Sequence, residues 1–437
     1  MMYICKMQWI SQLIFLLILG TGVWYFAKQV KTIRRNIFLG RKEDLSDQPK
    51  RRWAQMARVA LGQGKMTKKP VAGILHIIVY AGFVLINIEV MEIIIDGLAG
   101  THRVFSSLGR VYDLAIGFFE ILAFLVLVAC VILILRRHVL SIARFKKPEM
   151  KGWPTKDALI ILVTEVVLMG ALLKMNAADQ ILQSRGVEHY VQAGTFPISQ
   201  FIVPIIDGFS TDFLITYERI AWWFHIIGII VFLNYLPKSK HWHIIMAFPN
   251  TYYTPLKPKG ELANMESVTT EIKLMMDPSA TPPDDYEAPE GFGAKDVQDL
   301  SWKNLMDAYT CTECGRCTSA CPANLTGKAL SPRKIMMDTR DRLEEVGANI
   351  DSNSTDEKNL HSYVSPEELW ACTSCNACVD ACPINLNPLD IIVQMRQYKV
   401  MEESAAPTEL NNMFTNLENN GAPWQFSQMD KANWRDS

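Results

Sequence analysis

Residues 311–322 read CTECGRCTSACP, and residues 372–383 read CTSCNACVDACP. Both strings follow one spacing, C-x2-C-x2-C-x3-C-P. The first gathers Cys311, Cys314, Cys317 and Cys321, and the second gathers Cys372, Cys375, Cys378 and Cys382. Eight of the chain's 10 cysteines thus fall in two short runs, and 10 in 437 residues are too sparse for a disulfide scaffold. The spacing has a physical sense. Three thiolates at i, i+3 and i+6 wrap a tight turn around three corners of a cubane. The fourth begins a new segment at its proline and cannot easily close on the same cube.

This is the run that holds [4Fe–4S] clusters in bacterial ferredoxins, where the fourth cysteine serves the other cluster. By that rule one cluster takes Cys311, Cys314, Cys317 and Cys382. The other takes Cys372, Cys375, Cys378 and Cys321, and the swap ties both runs into one domain. Zinc is the first alternative, but a structural zinc site takes four ligands in two short pairs and leaves the third cysteine of each run unexplained. Disulfides are disfavoured in the cytoplasm, where the topology below puts these residues. Cys5 and Cys130, at a membrane edge and in an apolar run, read as inert small apolar side chains.

Around the runs, Asp299–Tyr309, Lys334–Val346, Pro366–Trp370 and Asn387–Met401 carry helical patterns, and no stretch reads as a strand. Residues 301–402 therefore read as a mostly helical ferredoxin domain. It offers no nucleophile–base pair, phosphate loop or dinucleotide fingerprint. Two clusters about one domain-width apart form a wire.

The composition averages two unlike halves. Residues AVILMFWYC make up 49%, charged residues 20%, and 44 Lys+Arg stand against 45 Asp+Glu for a net charge of −1. Those values exclude a disordered chain and a strongly basic nucleic-acid binder. Long apolar runs are confined to residues 1–245. Met7–Ala27 carries no charge over 21 residues, enough for about 30 Å of helix, the thickness of a bilayer core. Val71–Ile88, Leu114–Leu135, Ala158–Leu173 and Ile220–Pro237 follow, interrupted only by Glu120 and Glu165. The first run could be a signal peptide, but its basic cluster follows the apolar stretch and no small-x-small cleavage site is evident, so it reads as a retained helix. Loop 28–70 carries 13 Lys/Arg and loop 136–156 carries seven, against two in 97–112 and one in 176–217. The positive-inside rule then puts the N-terminus outside and everything after about residue 245 in the cytoplasm. The expected fold is all-α: a five-span transmembrane helix bundle (1–245), a connector (246–300) with breakers at Pro282–Asp285 and Gly291–Gly293, the ferredoxin domain, and a polar tail (403–437). Isolated Phe414, Trp424, Phe426 and Trp434 mark that tail as a docking segment.

Ionisable side chains inside spans are functional candidates. His76 lies just inside the second span on its cytoplasmic side, His225 in the outer part of the fifth, and His243 at that helix's cytoplasmic end. On one continuous helix, 18 residues are five turns and about 27 Å, so His225 and His243 face the same way but cannot share a haem. His76 and His243 lie near the same side and can pair as axial ligands from facing helices. His225 has no evident partner, and His138 is a spare. His102, His138 and His241 read as interfacial residues. Glu89, Glu92, Glu120 and Glu165 could serve quinone protonation or make interhelical polar contacts.

These residues carry two resemblances that together cover nearly the whole chain. A histidine early in the second span, with two more 18 residues apart on the fifth, resembles the cytochrome b (gamma) subunit of respiratory nitrate reductases. That family binds two b haems, with two histidines ten residues apart on the second span. Here the position ten after His76 is Ile86, so one haem b is expected, and a second only if His225 has another partner. The strings Tyr309-Thr-Cys-Thr-Glu-Cys-Gly-Arg-Cys317, Leu369-Trp-Ala-Cys-Thr-Ser-Cys-Asn-Ala-Cys378 and Asn416-Leu-Glu-Asn-Asn-Gly-Ala-Pro-Trp424 resemble membrane-bound Fe–S oxidoreductases related to heterodisulfide reductase. Members often continue into cysteine-rich CCG domains. The absence of any Cys after 382 implies that a separate soluble partner, a CCG-domain protein or a flavoprotein, supplies the substrate site. The resemblance implies an electron-transfer subunit in the bacterial inner membrane, passing electrons between a cytoplasmic partner, two [4Fe–4S] clusters, haem b and quinone. A membrane anchor and assembly scaffold is the alternative. A membrane-coupled redox sensor is a third reading, for which no output domain is visible.

Overall fold

The computed structural model describes residues 2–140, 142–258, 261–282, 286 and 291–436. Side chains of residues 2–8 and of Gln428 are outside the description, Cys5 among them, as are the expected breakers Pro283, Asp284 and Asp285. Among the described residues the regular structure is helical, with one isolated parallel β-bridge between Arg41 and Ser301.

Five long helices, α1 (Met2–Ile37), α2 (Pro70–Ala99), α3 (Arg110–His138), α4 (Trp153–Ser184) and α5 (Thr211–Tyr235), are long and apolar enough to cross a membrane. Local chemistry sets their ends. Pro70 and Pro154 sit in the first turns of α2 and α4, where a missing N–H costs nothing. The Ser210 side chain accepts from Phe213 N at 3.3 Å and caps α5. Arg136, Arg137 and His138 complement the C-terminal dipole of α3. In the bundle α2 packs on α3, α3 on α4 and α4 on α5, while α1 lies across α5 and α2. Phe15, Ile93, Ile116, Val126, Leu168, Leu172 and Ile226 fill its interior. Its outer surface exposes Trp9, Leu17, Leu114, Phe118, Ile220 and Val231. That much apolar surface is costly in water and costs nothing in lipid.

The first helix does more than cross. Its 36 residues reach about 54 Å, well beyond a bilayer core of about 30 Å. Its far end enters the cysteine-bearing region. Ile33 and Ile37 share one core with Val297, Leu300, Leu305, Ile335 and Met395. The buried Asn36 donates to Tyr309 Oη at 2.9 Å, and Arg35 donates to the Gly347 carbonyl at 3.0 Å. The membrane bundle and the cysteine region are therefore packed as one body.

The cysteine region is built from Trp302–Thr310, Arg316–Ala320, Pro332–Ser352, Pro366–Trp370, Ala377–Ala381 and Pro388–Met401. The expected helices are present, and Lys334–Val346 is extended at both ends. Ser301, Ser331, Ser365 and Asn387 cap four of them through their side chains.

One expectation needs correction. The fifth span is not continuous through His243. It ends at Tyr235, a 3-10 turn follows at Leu236–Lys238 with Pro237 in its first turn, and a new helix starts at His243 (His243–Tyr252). The five-turn relation between His225 and His243 therefore does not hold. Asp157 on α4 clamps the break. It accepts from Ser239 Oγ at 2.7 Å and Lys240 N at 3.1 Å, and it binds the Tyr235 hydroxyl.

Gly40 tests the seam between the two regions. A Cβ there would stand 2.7 Å from the Leu300 carbonyl oxygen and 2.8 Å from Trp302 N, which are backbone atoms that cannot swing aside. Gly40→Ala is expected to destabilise the protein by about 1–3 kcal/mol. Gly20→Ala, where nothing lies within 4 Å, should be neutral or stabilising by up to about 1 kcal/mol. Thermal unfolding of the two variants in detergent checks the contrast.

Candidate redox site

The two cysteine runs adopt one backbone path. Glu313 and Ser374, each two residues after the first cysteine, both have φ 54°, and Gly315 (φ 71°) and Asn376 (φ 59°) match one another two residues later. Left-handed residues at alternate positions curl each run into a tight turn. Glycine and asparagine are the residues that tolerate this most readily, but Glu313 and Ser374 adopt it without that advantage.

The fourth thiols cross over. Cys317 lies in the electrostatic field of Cys314, Cys311 and Cys382, with Cys378 of the second run a smaller contributor, and Cys382 lies in that of Cys314. Cys378 lies in the field of Cys372, Cys321 and Cys375. A cavity at the first set is lined by Cys311, Cys314, Cys317 and Cys382, with Cys378 at its border and Ile384 and Leu386 closing it. The thiols are free, and burial pushes Cys311, Cys378 and Cys382 up to about 12. Alone, they would stay protonated in such surroundings. Thiolate ligation therefore needs a strongly positive partner, which iron supplies. Among the described residues no three His, Cys, Asp or Glu side chains converge on one point as a single metal ion requires. A cubane instead offers four separated corners.

Two of the three candidate histidines come close to the first set. The His76 and His243 rings face each other with centroids 6.2 Å apart and planes 41° apart. His243 Nδ1 stands 3.0 Å from the Lys240 carbonyl and donates to it, which leaves Nε2 free. Burial pushes this imidazole below its ordinary value, so it is neutral at pH 7, the form that binds metal. The Nδ1 of His76 is buried without a partner. His225 stands apart. It is buried, its Nδ1 lies 3.1 Å from the Leu168 carbonyl, and it belongs to a region packed with Ile86, Leu168, Trp222 and Ile226. Among the described residues no second histidine ring packs against it. His241 packs 5.5 Å from His243 and 5.6 Å from Phe232, and His138 ends α3.

A buried ion cluster joins the histidine pair to the first cysteine run. Lys240, in the turn before His243, pairs with Glu313, which lies between Cys311 and Cys314. Arg340 donates to the same carboxylate at 2.9 Å. Burial would push the Glu313 carboxyl up, but Lys240 and Arg340 hold it below its usual range. Arg316, inside the same run, donates to the Lys65 carbonyl at 3.2 Å on the approach to α2 and acts on His76 electrostatically. Sequence reasoning missed Asp157, Lys240, Glu313 and Arg316. The last two sit inside the quoted motif, where a buried ion pair could have been suspected. The first two had no signal.

The acidic candidates lie elsewhere. Glu120 accepts from Ile198 N at 2.8 Å and Ser199 N at 3.2 Å, and Glu92 accepts from Phe105 N and the Tyr112 hydroxyl. Beside them Arg103 pairs with Asp179 at 2.7 Å. This network binds loops to helices at the bundle end away from the cysteines, as interhelical polar contacts do. Glu89 is buried near it.

Residues 310–386 match the family model for a 4Fe-4S dicluster domain. Over 98% of its length the chain is 30% identical to the probable iron-sulfur-binding oxidoreductase FadF of Bacillus subtilis, of which it covers 61%. Over 86% of its length it is 27% identical to the EtfAB:quinone oxidoreductase of Syntrophomonas wolfei, of which it covers 53%. A 103-residue stretch, 23% of the chain, is 31% identical to one component of the ferredoxin/F(420)H(2)-dependent CoB-CoM heterodisulfide reductase of Methanosarcina acetivorans, covering 52% of that protein. The chain thus spans between about half and three fifths of the length of these relatives. No solved structure matches. The homologues are iron–sulfur oxidoreductases, and the chain fits a membrane Fe–S oxidoreductase related to the heterodisulfide reductases.

The crossed ligand sets predict a pattern of losses. Cys382→Ser should remove the same low-temperature EPR signal as Cys311→Ser, and Cys321→Ser the same signal as Cys375→Ser. Uncrossed sets would pair Cys382 with Cys375 instead.

Proposed function

We propose that this chain, a relative of iron–sulfur oxidoreductases, is the membrane electron-transfer part of a quinone-linked oxidoreductase. Electrons enter from a soluble cytoplasmic partner at the second cluster site, where Cys375 is exposed. They continue through the first site toward the membrane, where His76 and His243 would hold a haem b and quinone would be the acceptor. The single observation that carries this reading is the His76–His243 pair beside the Cys311 run. Metal–imidazole bonds are about 2 Å, and the ring centre lies about 1 Å behind the ligating nitrogen, so two imidazoles that held one metal would stand no more than about 6 Å apart. The observed 6.2 Å fits that spacing.

A haem bound there supplies one-electron chemistry between the clusters and a two-electron carrier. The protein's own contribution is orientation. The Lys240 carbonyl fixes the His243 tautomer. Asp157 holds the turn that delivers His243, and the Lys240–Glu313 pair keeps the Cys311 run against that turn. One haem is the count this arrangement supports, because Ile86 occupies the position where His225 would need a partner. The Lys/Arg-rich loops around Lys65 and Arg144 lie on the same side as the cysteine region, which favours its placement in the cytoplasm of a bacterial inner membrane. The Syntrophomonas relative is named for EtfAB and quinone, and a flavoprotein donor with quinone as acceptor is the corresponding proposal here. The substrate site belongs to that partner.

Reduction of the purified protein with a menaquinol analogue, followed at the haem α-band, tests the reading. His76→Ala and His243→Ala should each abolish the band, and His225→Leu should leave it. Ile86→His should raise the haem content if His225 lacks only a partner. A wild-type protein without an α-band contradicts the haem assignment.

A further inference from the structure

The two cysteine runs share a backbone path, but the charge around them differs. Arg333, fully buried, sits over Gly315: a Cβ built on that glycine would stand 2.5 Å from Arg333 Nη1 and 3.5 Å from the Cβ of Arg144. Arg333 donates to Glu149 at 2.7 Å and to the Arg144 carbonyl at 2.8 Å. Arg316 is buried in the same run and spends its donors on the Lys65 and Met66 carbonyls. Arg137, at the end of α3, donates to the Pro154 carbonyl at 3.4 Å. Of these four arginines only Arg333 meets a carboxylate among the described contacts. The Nε atoms of Arg137, Arg144 and Arg333 are buried with no partner. Lys65 adds a further ammonium, donating to the Cys382 carbonyl at 3.0 Å.

The second run has another setting. Cys375 is exposed. Arg396 acts on Cys372, donating to the Cys372 and Leu369 carbonyls at 2.6 and 2.7 Å. Asp380 follows in the helix between Cys378 and Cys382, where it pairs with Lys68 at 3.3 Å.

Cluster potential depends on net charge, hydrogen bonding and exposure. Reduction adds one negative charge to a site that four thiolates already make anionic. Burial alone opposes that change and would place the first cluster below the exposed second one. The collar reverses the sign. Arg316 is buried and Arg137 and Arg144 are half-buried, none of them against a carboxylate, whereas Glu149 answers Arg333. A guanidinium withdrawn from water without an anion is costly, and the cluster is the anion within their reach. Each added electron is therefore stabilised by charges already fixed in a dry site, where Coulomb terms are strong.

We propose that Arg144, Arg316 and Arg333, backed by Arg137, set the cluster on Cys311, Cys314, Cys317 and Cys382 at a higher potential than its neighbour. The collar thereby biases electrons from the exposed end toward the membrane. This rests on the reading that both runs hold clusters. In the step itself one electron leaves the second cluster, which is oxidised by one, and enters the first, which is reduced by one; no proton or bond is exchanged. The arginines are positioning and potential-setting residues.

An EPR-monitored redox titration of the full-length protein in detergent tests this. Cys375→Ser identifies the signal of the second cluster. In the wild type the remaining signal should appear first as the poise is lowered. Arg144→Gln should cut the reduced-to-oxidised ratio of the first cluster about tenfold at fixed poise, which is about 59 mV for one electron. It should leave the second cluster unmoved, and Arg144→Lys should restore most of the ratio. Arg396→Gln should move only the second cluster. A wild type in which the second cluster reduces first overturns the proposal without recourse to any variant, as does an Arg144→Gln protein whose two potentials are unchanged or shift together. Absence of both cluster signals would instead sink the underlying reading.

Discussion

The buried ion pair between Lys240 and Glu313 is the contact on which the redox arrangement turns. One partner belongs to the break after the fifth membrane helix and the other lies inside a cysteine run. Both are nearly inaccessible, with side-chain exposures of 9% and 3%. Taking two charges out of water is costly unless geometry and further hydrogen bonds compensate. Here Arg340 and the Pro154 carbonyl complete the coordination of the pair. An apolar pair could pack as well, but it would not define which residue meets which. The ion pair sets the register between a membrane turn that presents His243 and a loop that presents three thiols. Removing one partner leaves an uncompensated buried charge next to both.

Around that contact the molecule is built to be stiff. The overlong first helix carries Asn36 into the cysteine region, where it meets Tyr309 and leaves no room for a side chain at Gly347. The Arg41–Ser301 bridge closes the same seam from the loop side. Electron transfer needs fixed distances more than motion, and a shared core from Ile33 to Met395 supplies them. The polar network around Arg103 and Asp179 does comparable work at the other end of the bundle, locking the loops between the spans.

Much of this was legible in the residues. Five long apolar runs have no soluble explanation, and the cysteine spacing has a single strong one, so the helical architecture and the iron–sulfur domain followed directly. The pairing of His76 with His243 followed from depth alone. What could not be read depended on tertiary context. Leu236 and Pro237 break a helix that composition would continue, and only the carboxylate of Asp157, some 80 positions away in sequence, makes the break a defined turn. Glu313 looked like any polar residue between cysteines until its two cations were in place. Arg137 and Arg144 counted as inside-positive loop charge, and their half-buried place without a carboxylate contact could not be seen in a tally of lysines and arginines. The acidic candidates in the spans were ambiguous by nature, because a carboxylate that holds a loop and one that moves a proton share the same sequence.

The central claim is continuity: electrons reach the histidine pair through the Cys311 run. Stopped-flow spectroscopy of the full-length protein in lipid, mixed with a low-potential one-electron donor, measures it directly. The account predicts that cluster bleaching precedes rise of the haem α-band, and that the α-band rise is lost when the cluster on Cys311 is removed by substitution while haem remains bound. A haem that reduces first, or at an unchanged rate without that cluster, would contradict it.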